Sequence, residues 1–203
     1  MGCASGKDNN AETPPAHAGP RAGDEPASSS QPPCGLAPLP ANAPVRAVVV
    51  LCVSNGRALI LRRGKTAPWA PGMWSLPGGK VDRGETVLAA GERELGEETD
   101  LVPVGARALG APYVHAPGGA YGMAAVLCGC ESEAPIGQSS EFEGGLPVSP
   151  ELGFPENDAW RWITAAEIRE YEQPTEANYR LLAEALRRAE DAPAQAGGLA
   201  TRI

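Results

Sequence analysis

Large apolar residues first concentrate at residues 45–54, where Val45, Val48, Val49, Val50, Leu51 and Val53 make a β-branched run that reads as a strand. Asn55-Gly56 follows, the strongest short signal for a hairpin turn, and residues 57–63 return as a second strand through Ala-Leu-Ile-Leu. A looser segment leads to a short strand at Trp74-Ser75-Leu76, then to Gly78-Gly79. The pattern next turns helical, from a capping Thr86 through Leu88 and Leu95 to Leu101. Residues 101–109 and 111–115 read as strands broken by Gly110, and Pro117-Gly118-Gly119 turns the chain into an apolar strand over residues 121–130. A polar connection occupies residues 131–158, long enough to be functional or disordered. Residues 159–163 form a further strand with Trp160 and Trp162 on one face, expected to be a core aromatic pair. Thr164 caps a short helix to Tyr171, and Thr175 starts another whose stripe is Ala177, Leu181, Leu182 and Leu186. This order suits an α/β fold, an α/β/α sandwich around a mixed β-sheet.

The 203 residues hold one domain of ordinary size. Residues 1–44 carry nine of the 21 prolines and almost no large apolar side chains, so they read as a disordered tail. Residues 45–189 are the expected domain, and 190–203 a flexible C-terminal tail. Of the five cysteines, Cys128 and Cys130 share a strand face as core thiols; an odd count without framework spacing argues against a secreted disulfide scaffold. No long apolar run or signal-peptide core is present, so a cytoplasmic location is expected.

Charge sharpens the picture. The net charge is −8, and seven acidic residues lie between Asp82 and Asp100. On a helix Glu94, Glu97 and Glu98 crowd three carboxylates onto one side, since residues three and four apart are neighbours. Like charges so close need solvation or a cation, and a hard divalent ion with oxygen ligands suits them: magnesium first, manganese as the alternative. No basic stripe offers itself to a nucleic-acid backbone, so the expected partner is a small nucleotide rather than a polymer. An acidic pocket accepts a nucleotide carried with magnesium because the ion reverses the local field.

Read from Gly79, the chain has glycine, five residues, Glu85, seven residues, then Arg93-Glu94-Leu95-any-Glu97-Glu98-any-Asp100-Leu101. It resembles the signature of the Nudix hydrolases, departing only at Asp100, where the family has glycine. That glycine ends the helix in a left-handed conformation, which Asp tolerates better than most residues. The resemblance implies a magnesium-dependent hydrolase of a nucleoside diphosphate derivative, with a MutT-like nucleoside triphosphate pyrophosphohydrolase as first choice. It further implies that Gly78 with Glu94, Glu97 and Glu98 holds metal, that Arg93 orients the carboxylates, and that Gly79 and Glu85 are structural. Glu94 or a loop glutamate, Glu156, with Asp158 and Glu151 as alternatives, is the expected base. Asn178 resembles the position from which MutT-like proteins read a purine. Arg62 or Arg63 is a candidate phosphate contact; Arg62 is taken first.

Two other activities stay open, hydrolysis of ADP-ribose or of a dinucleoside polyphosphate, the former drawing on Pro117. A catalytically silent nucleotide-sensing module at a membrane is the rival of a different class. The start Met-Gly-Cys resembles dually acylated proteins, with Gly2 for myristate and Cys3 for palmitate, although Gly6 stands where serine or threonine is usual. Acylation there implies anchoring on the cytosolic side of a membrane; a plain tail is the other reading.

Overall fold

The computed structural model describes residues 30–115, 121–133, 146–149 and 152–191. Gly2, Cys3, Pro117 and Glu151 lie outside them. The hairpin forms as its pattern predicts: β1 (Val45–Ser54) and β2 (Arg57–Arg63) are joined by Asn55 and Gly56, with φ of 46° and 71°. Positive φ at both turn residues is the requirement that favours Asn-Gly there. Next come β3 (Trp74–Ser75), β4 (Gly78–Lys80) and helix α1 (Val87–Thr99). The chain continues through β5 (Pro103–Ala108), β6 (Tyr113–Val114), β7 (Gly122–Cys130), β8 (Asn157–Ile163) and helix α2 (Glu176–Asp191).

The mixed sheet has the order β3-β2-β1-β7-β5, with β4 also on β1, β6 on β7 and β8 on β2. β1 and β7 run parallel, and both are covered on their two faces, which is why they read as near-continuous apolar runs. Period two divides β1: Val49 and Leu51 pack with Leu181, Leu182 and Leu186 of α2, whereas Val50 and Cys52 pack with Leu95 of α1. One helix therefore lies on each face of the sheet. Cys128 stands opposite Cys52 within the α1-side core, and Trp160 and Trp162 pack at its margin.

What positions the site is the way β1 shares its second edge. β4 occupies the stretch from Ala47 to Val49, while β2 pairs only at Val53 and Ser54. β2 therefore veers away, and along Ala58 to Arg63 it pairs with β8 instead. The sheet opens between them.

The N-terminal tail departs from expectation. Residues 30–44 are laid along the sheet: Pro33 is buried, Pro38 bridges to Tyr113, Val114 donates to the Ala37 carbonyl, and Leu39 donates to that of Pro112. Proline-rich sequence forms no ladder of its own, yet it can cover an edge through its few donors and its rings. No helix among the described residues is long and apolar enough to cross a membrane.

Candidate active site

The opening in the sheet is faced by α1, whose two ends are fixed locally. Thr86 is extended at the N-cap and its hydroxyl accepts from Ala89 N at 3.2 Å. Asp100 takes the left-handed conformation expected of it, with φ of 58° and ψ of 12°, and its N–H donates to Gly96 O at 2.8 Å. Between these caps, Leu95 turns into the core while Glu94, Glu97 and Glu98 face the opening.

β4 crosses in front of the helix at a spacing only glycine permits. Gly78 has φ of 147°, and a Cβ there would stand 2.2 Å from Val48 O; one on Gly79 would stand 2.5 Å from the Glu94 carboxyl. The Gly78 N–H donates to Glu98 Oε2 at 2.9 Å, and Asn157 Nδ2 of β8 donates to Glu98 Oε1 at 3.1 Å. Helix and both strands thus meet on one carboxylate. Burial pushes the Glu98 carboxyl up to about 8, with Glu156 and Glu94 adding to the rise against its two hydrogen bonds. Burial likewise raises Glu94, against the pull of Arg93.

Arg93 is the local organiser. Its Nε and Nη2 each donate to Glu85 at 3.0 Å, Nη2 also to Lys80 O at 2.9 Å, and Nη1 to Glu94 at 2.9 Å and Glu97 at 3.2 Å. The planar fork matches this set as an ammonium could not. Its hydrogen bonds, with one from the Asp82 N–H, hold Glu85 below the usual carboxylate range. Across the opening, Arg63 Nη2 is paired with Glu156, and its guanidinium lies 5.3 Å from the Trp69 ring.

These groups enclose a cleft of about 390 Å³ whose walls include Gly78, Gly79, Arg93, Glu94, Glu97 and Glu156. A compartment of about 250 Å³ adjoins it, lined by Trp69, His115, Tyr121, Met123 and Asn178. Four carboxylates, those of Glu94, Glu97, Glu98 and Glu156, border one hollow, with Arg93 and Arg63 as nearby cations. Such a donor set, hard oxygens in excess of positive charge with one carboxyl driven toward neutrality, fits a divalent cation in chemistry and place. Among the described residues no three acidic, histidine or cysteine side chains stand at ligand geometry. The reason is visible, since Glu94 and Glu97 are turned onto Arg93; holding an ion requires them to exchange that partner.

The sequence placed Gly78, Gly79, Glu85, Arg93, Glu94, Glu97, Glu98 and Glu156 in one site, and the fold brings them together. Asn178 is buried at the start of α2 on the wall of the smaller compartment, its Oδ1 accepting from Thr175 Oγ1 at 2.8 Å. Arg62 does not reach the cleft. It pairs with Asp158 at 2.6 Å, neither of the two lines the cleft, and the place expected for Arg62 is held by Arg63. Neighbouring residues of a strand point to opposite faces, so only one of the two arginines could serve. His115 is half-buried with its ring 5.3 Å from Tyr121. Burial lowers its pKa. Trp69 and Asn157 were not anticipated; an aromatic in the Pro68-Trp69 loop is the one signal that could have pointed to the first.

The family model described as NUDIX domain matches residues 43–185. Among curated proteins, the chain is 30% identical over 142 residues to an RNA pyrophosphohydrolase of Rhizobium meliloti, covering 62% of this chain and 82% of that protein. It is 49% identical over 55 residues to the m7GpppN-mRNA hydrolase NUDT17 of Xenopus laevis, a match spanning 27% of this chain and only 19% of the frog protein. Among solved structures, a NUDIX hydrolase from Nitrosomonas europaea superposes with a TM-score of 0.50 at 16% identity, covering 73% of this chain and 74% of that one, a likeness of fold.

Proposed function

The chain belongs to the NUDIX domain family, and from that premise we propose that it hydrolyses a phosphoanhydride bond in the 5′-polyphosphate of a nucleotide, aided by magnesium, with manganese as the alternative. The observation that carries this reading is the hollow on which Glu94, Glu97, Glu98 and Glu156 converge beside an arginine-organised glycine turn. The names of the two curated relatives, an RNA pyrophosphohydrolase and an m7GpppN-mRNA hydrolase, support the reading, for both are named as hydrolases. The MutT-like nucleoside triphosphate reading belongs to the same chemistry.

The Gly78 carbonyl with Glu94, Glu97 and Glu98 would hold the ion. A bound magnesium ion screens the phosphates and makes water at the site more acidic. Everything else falls to the chain. Arg93, fixed by Glu85, sets the carboxylates in register, and Glu98 ties α1 to β4 and β8 so that their spacing survives turnover. Glu94 and Glu156 are the two candidates to take the proton of the attacking water; Glu156 stands opposite the helix, steadied by Arg63. Trp69, Tyr121 and Asn178 offer ring faces and an amide to a base in the adjoining compartment.

A silent sensing module finds no support, because Glu85, Arg93, Glu94, Glu97 and Glu98 are all present and interlocked. The test is a panel of nucleoside triphosphates, ADP-ribose and dinucleoside polyphosphates incubated with magnesium, with products separated and identified. Release of phosphate or pyrophosphate from at least one, abolished by Glu94→Gln or Glu156→Gln, is expected. A protein that binds nucleotides but cleaves none of them would reverse the conclusion.

A further inference from the structure

The compartment beside the cleft holds a side chain that the hydrolysis described above leaves without a task. His115 follows β6, whose Tyr113 and Val114 pair with Met123 and Gly122 of β7, and its N–H donates to the Tyr121 carbonyl at 3.4 Å. Period two turns it toward the face that Tyr113 takes, the one covered by α2. Met123 and Asn178, the latter near the start of α2, line the same compartment.

The imidazole is fixed in place but makes no side-chain hydrogen bond among the described residues. Its ring is tilted 33° to that of Tyr121 at 5.3 Å and stands edge-on to that of Trp69 at 6.5 Å. Nδ1 is buried without a partner, so Nε2 is the ring nitrogen left open on a side chain that lines the compartment. Burial lowers the pKa of His115 and keeps the ring neutral near physiological pH. A neutral ring carries one proton. An orphaned buried N–H is rarer and costlier than a buried lone pair, so that proton belongs on Nε2.

In this tautomer His115 offers the compartment a hydrogen-bond donor and nothing else. Asn178 offers the same, because its Oδ1 is taken by Thr175 Oγ1 at 2.8 Å and the amide is left with its Nδ2 donors. Trp69, Tyr121, Met123 and Leu76 supply the flat and apolar wall that a base requires. A base entering here is therefore met by donors. A carbonyl oxygen satisfies them, whereas an exocyclic amine in the same place leaves both its own N–H groups and theirs unpaired.

We propose that His115 is a specificity-determining residue whose Nε2–H donates to a carbonyl oxygen of the substrate's base, so that oxo bases are taken in preference to amino bases. That the ligand is a nucleotide substrate rests on the hydrolase reading above; the donor itself is revealed by binding alone.

The test compares inosine with adenosine triphosphate, and uridine with cytidine triphosphate, on the full-length protein with magnesium. Wild type is expected to favour the oxo member of each pair by about tenfold or more in kcat/KM. His115→Phe keeps a ring between Trp69 and Tyr121 but removes the donor. Its preference should shrink to about twofold or less, through loss on the oxo nucleotides. Its melting temperature should be unchanged or higher, because a buried nitrogen without a partner is gone. His115→Gln, whose amide nitrogen can take the place of Nε2, should restore most of the preference. Circular dichroism checks each fold, and His115→Leu is the second donor-free variant if the Phe variant does not fold. A wild type without preference, a preference for the amino bases, or a donor-free variant that loses equally on both members of a pair overturns the assignment. If wild type cleaves none of the nucleotides, the hydrolase reading falls, and quenching of tryptophan fluorescence by inosine and adenosine triphosphate decides the donor separately. Tighter binding of the inosine nucleotide that disappears in His115→Phe upholds it; equal binding, or none, rejects it.

Discussion

Glu98 concentrates the chemistry of this protein in one side chain, held by the Gly78 N–H and by Asn157 while burial and two other glutamates oppose its charge. The fold thus keeps an acid where it prefers to be neutral. Folding raises the pKa of Glu98, so above the ordinary carboxylate range its ionisation works against the folded state. Glu98→Gln keeps the shape, and Asn157 can turn its amide to keep the second hydrogen bond. The variant should melt at the same or a higher temperature than wild type at pH 8 without metal, yet lose turnover by about a hundredfold or more, as loss of a ligand does. A melting temperature several degrees lower would show that the charge itself stabilises the fold. Residue identity made most of this legible: the spacing of glutamates and the glycine pair announced the site. Arg62 against Arg63 was not legible, because the register of β2 on β8 shifts between those two residues.

At the scale of elements, the signals that survive into the structure are those whose cause is local. Asn55-Gly56, Thr86 and Asp100 each act within a turn, and each does what its type dictates. Asp100→Gly removes a left-handed Cβ penalty, set against added freedom in the unfolded chain. Chemical denaturation should find it neutral or more stable by up to about 1 kcal/mol; a loss greater than that would contradict the strain assigned to this position. Partners distant in sequence were hidden. Asn157 meets Glu98 across 59 positions, and nothing in a polar loop marks which amide will close on which carboxylate.

For the whole molecule, the main revision concerns residues 30–44. Composition drew the limit at 44, but proline content speaks only to regular structure, and residues 30–44 cover the sheet and reach α2, where the Cys34 thiol donates to Arg180 O at 3.2 Å. Leu39 lies so close to Gly122 that a Cβ there would stand 2.3 Å from Leu39 Cδ2. Removing residues 1–29 should leave the melting temperature unchanged, while removing 1–44 should cost about 2 kcal/mol or more by baring Tyr113 and the β7 end. Equal stability of the two truncations would return the boundary to 44. The central claim, that the carboxylate cleft is a metal-assisted phosphoanhydride hydrolase, is tested most directly by the initial rate of phosphate or pyrophosphate release as magnesium is titrated into chelator-treated protein. The rate should start at background, rise to saturation, and stay at background in Glu97→Gln. Turnover that persists in chelator, or a Glu97→Gln variant that follows the wild-type curve, would contradict it.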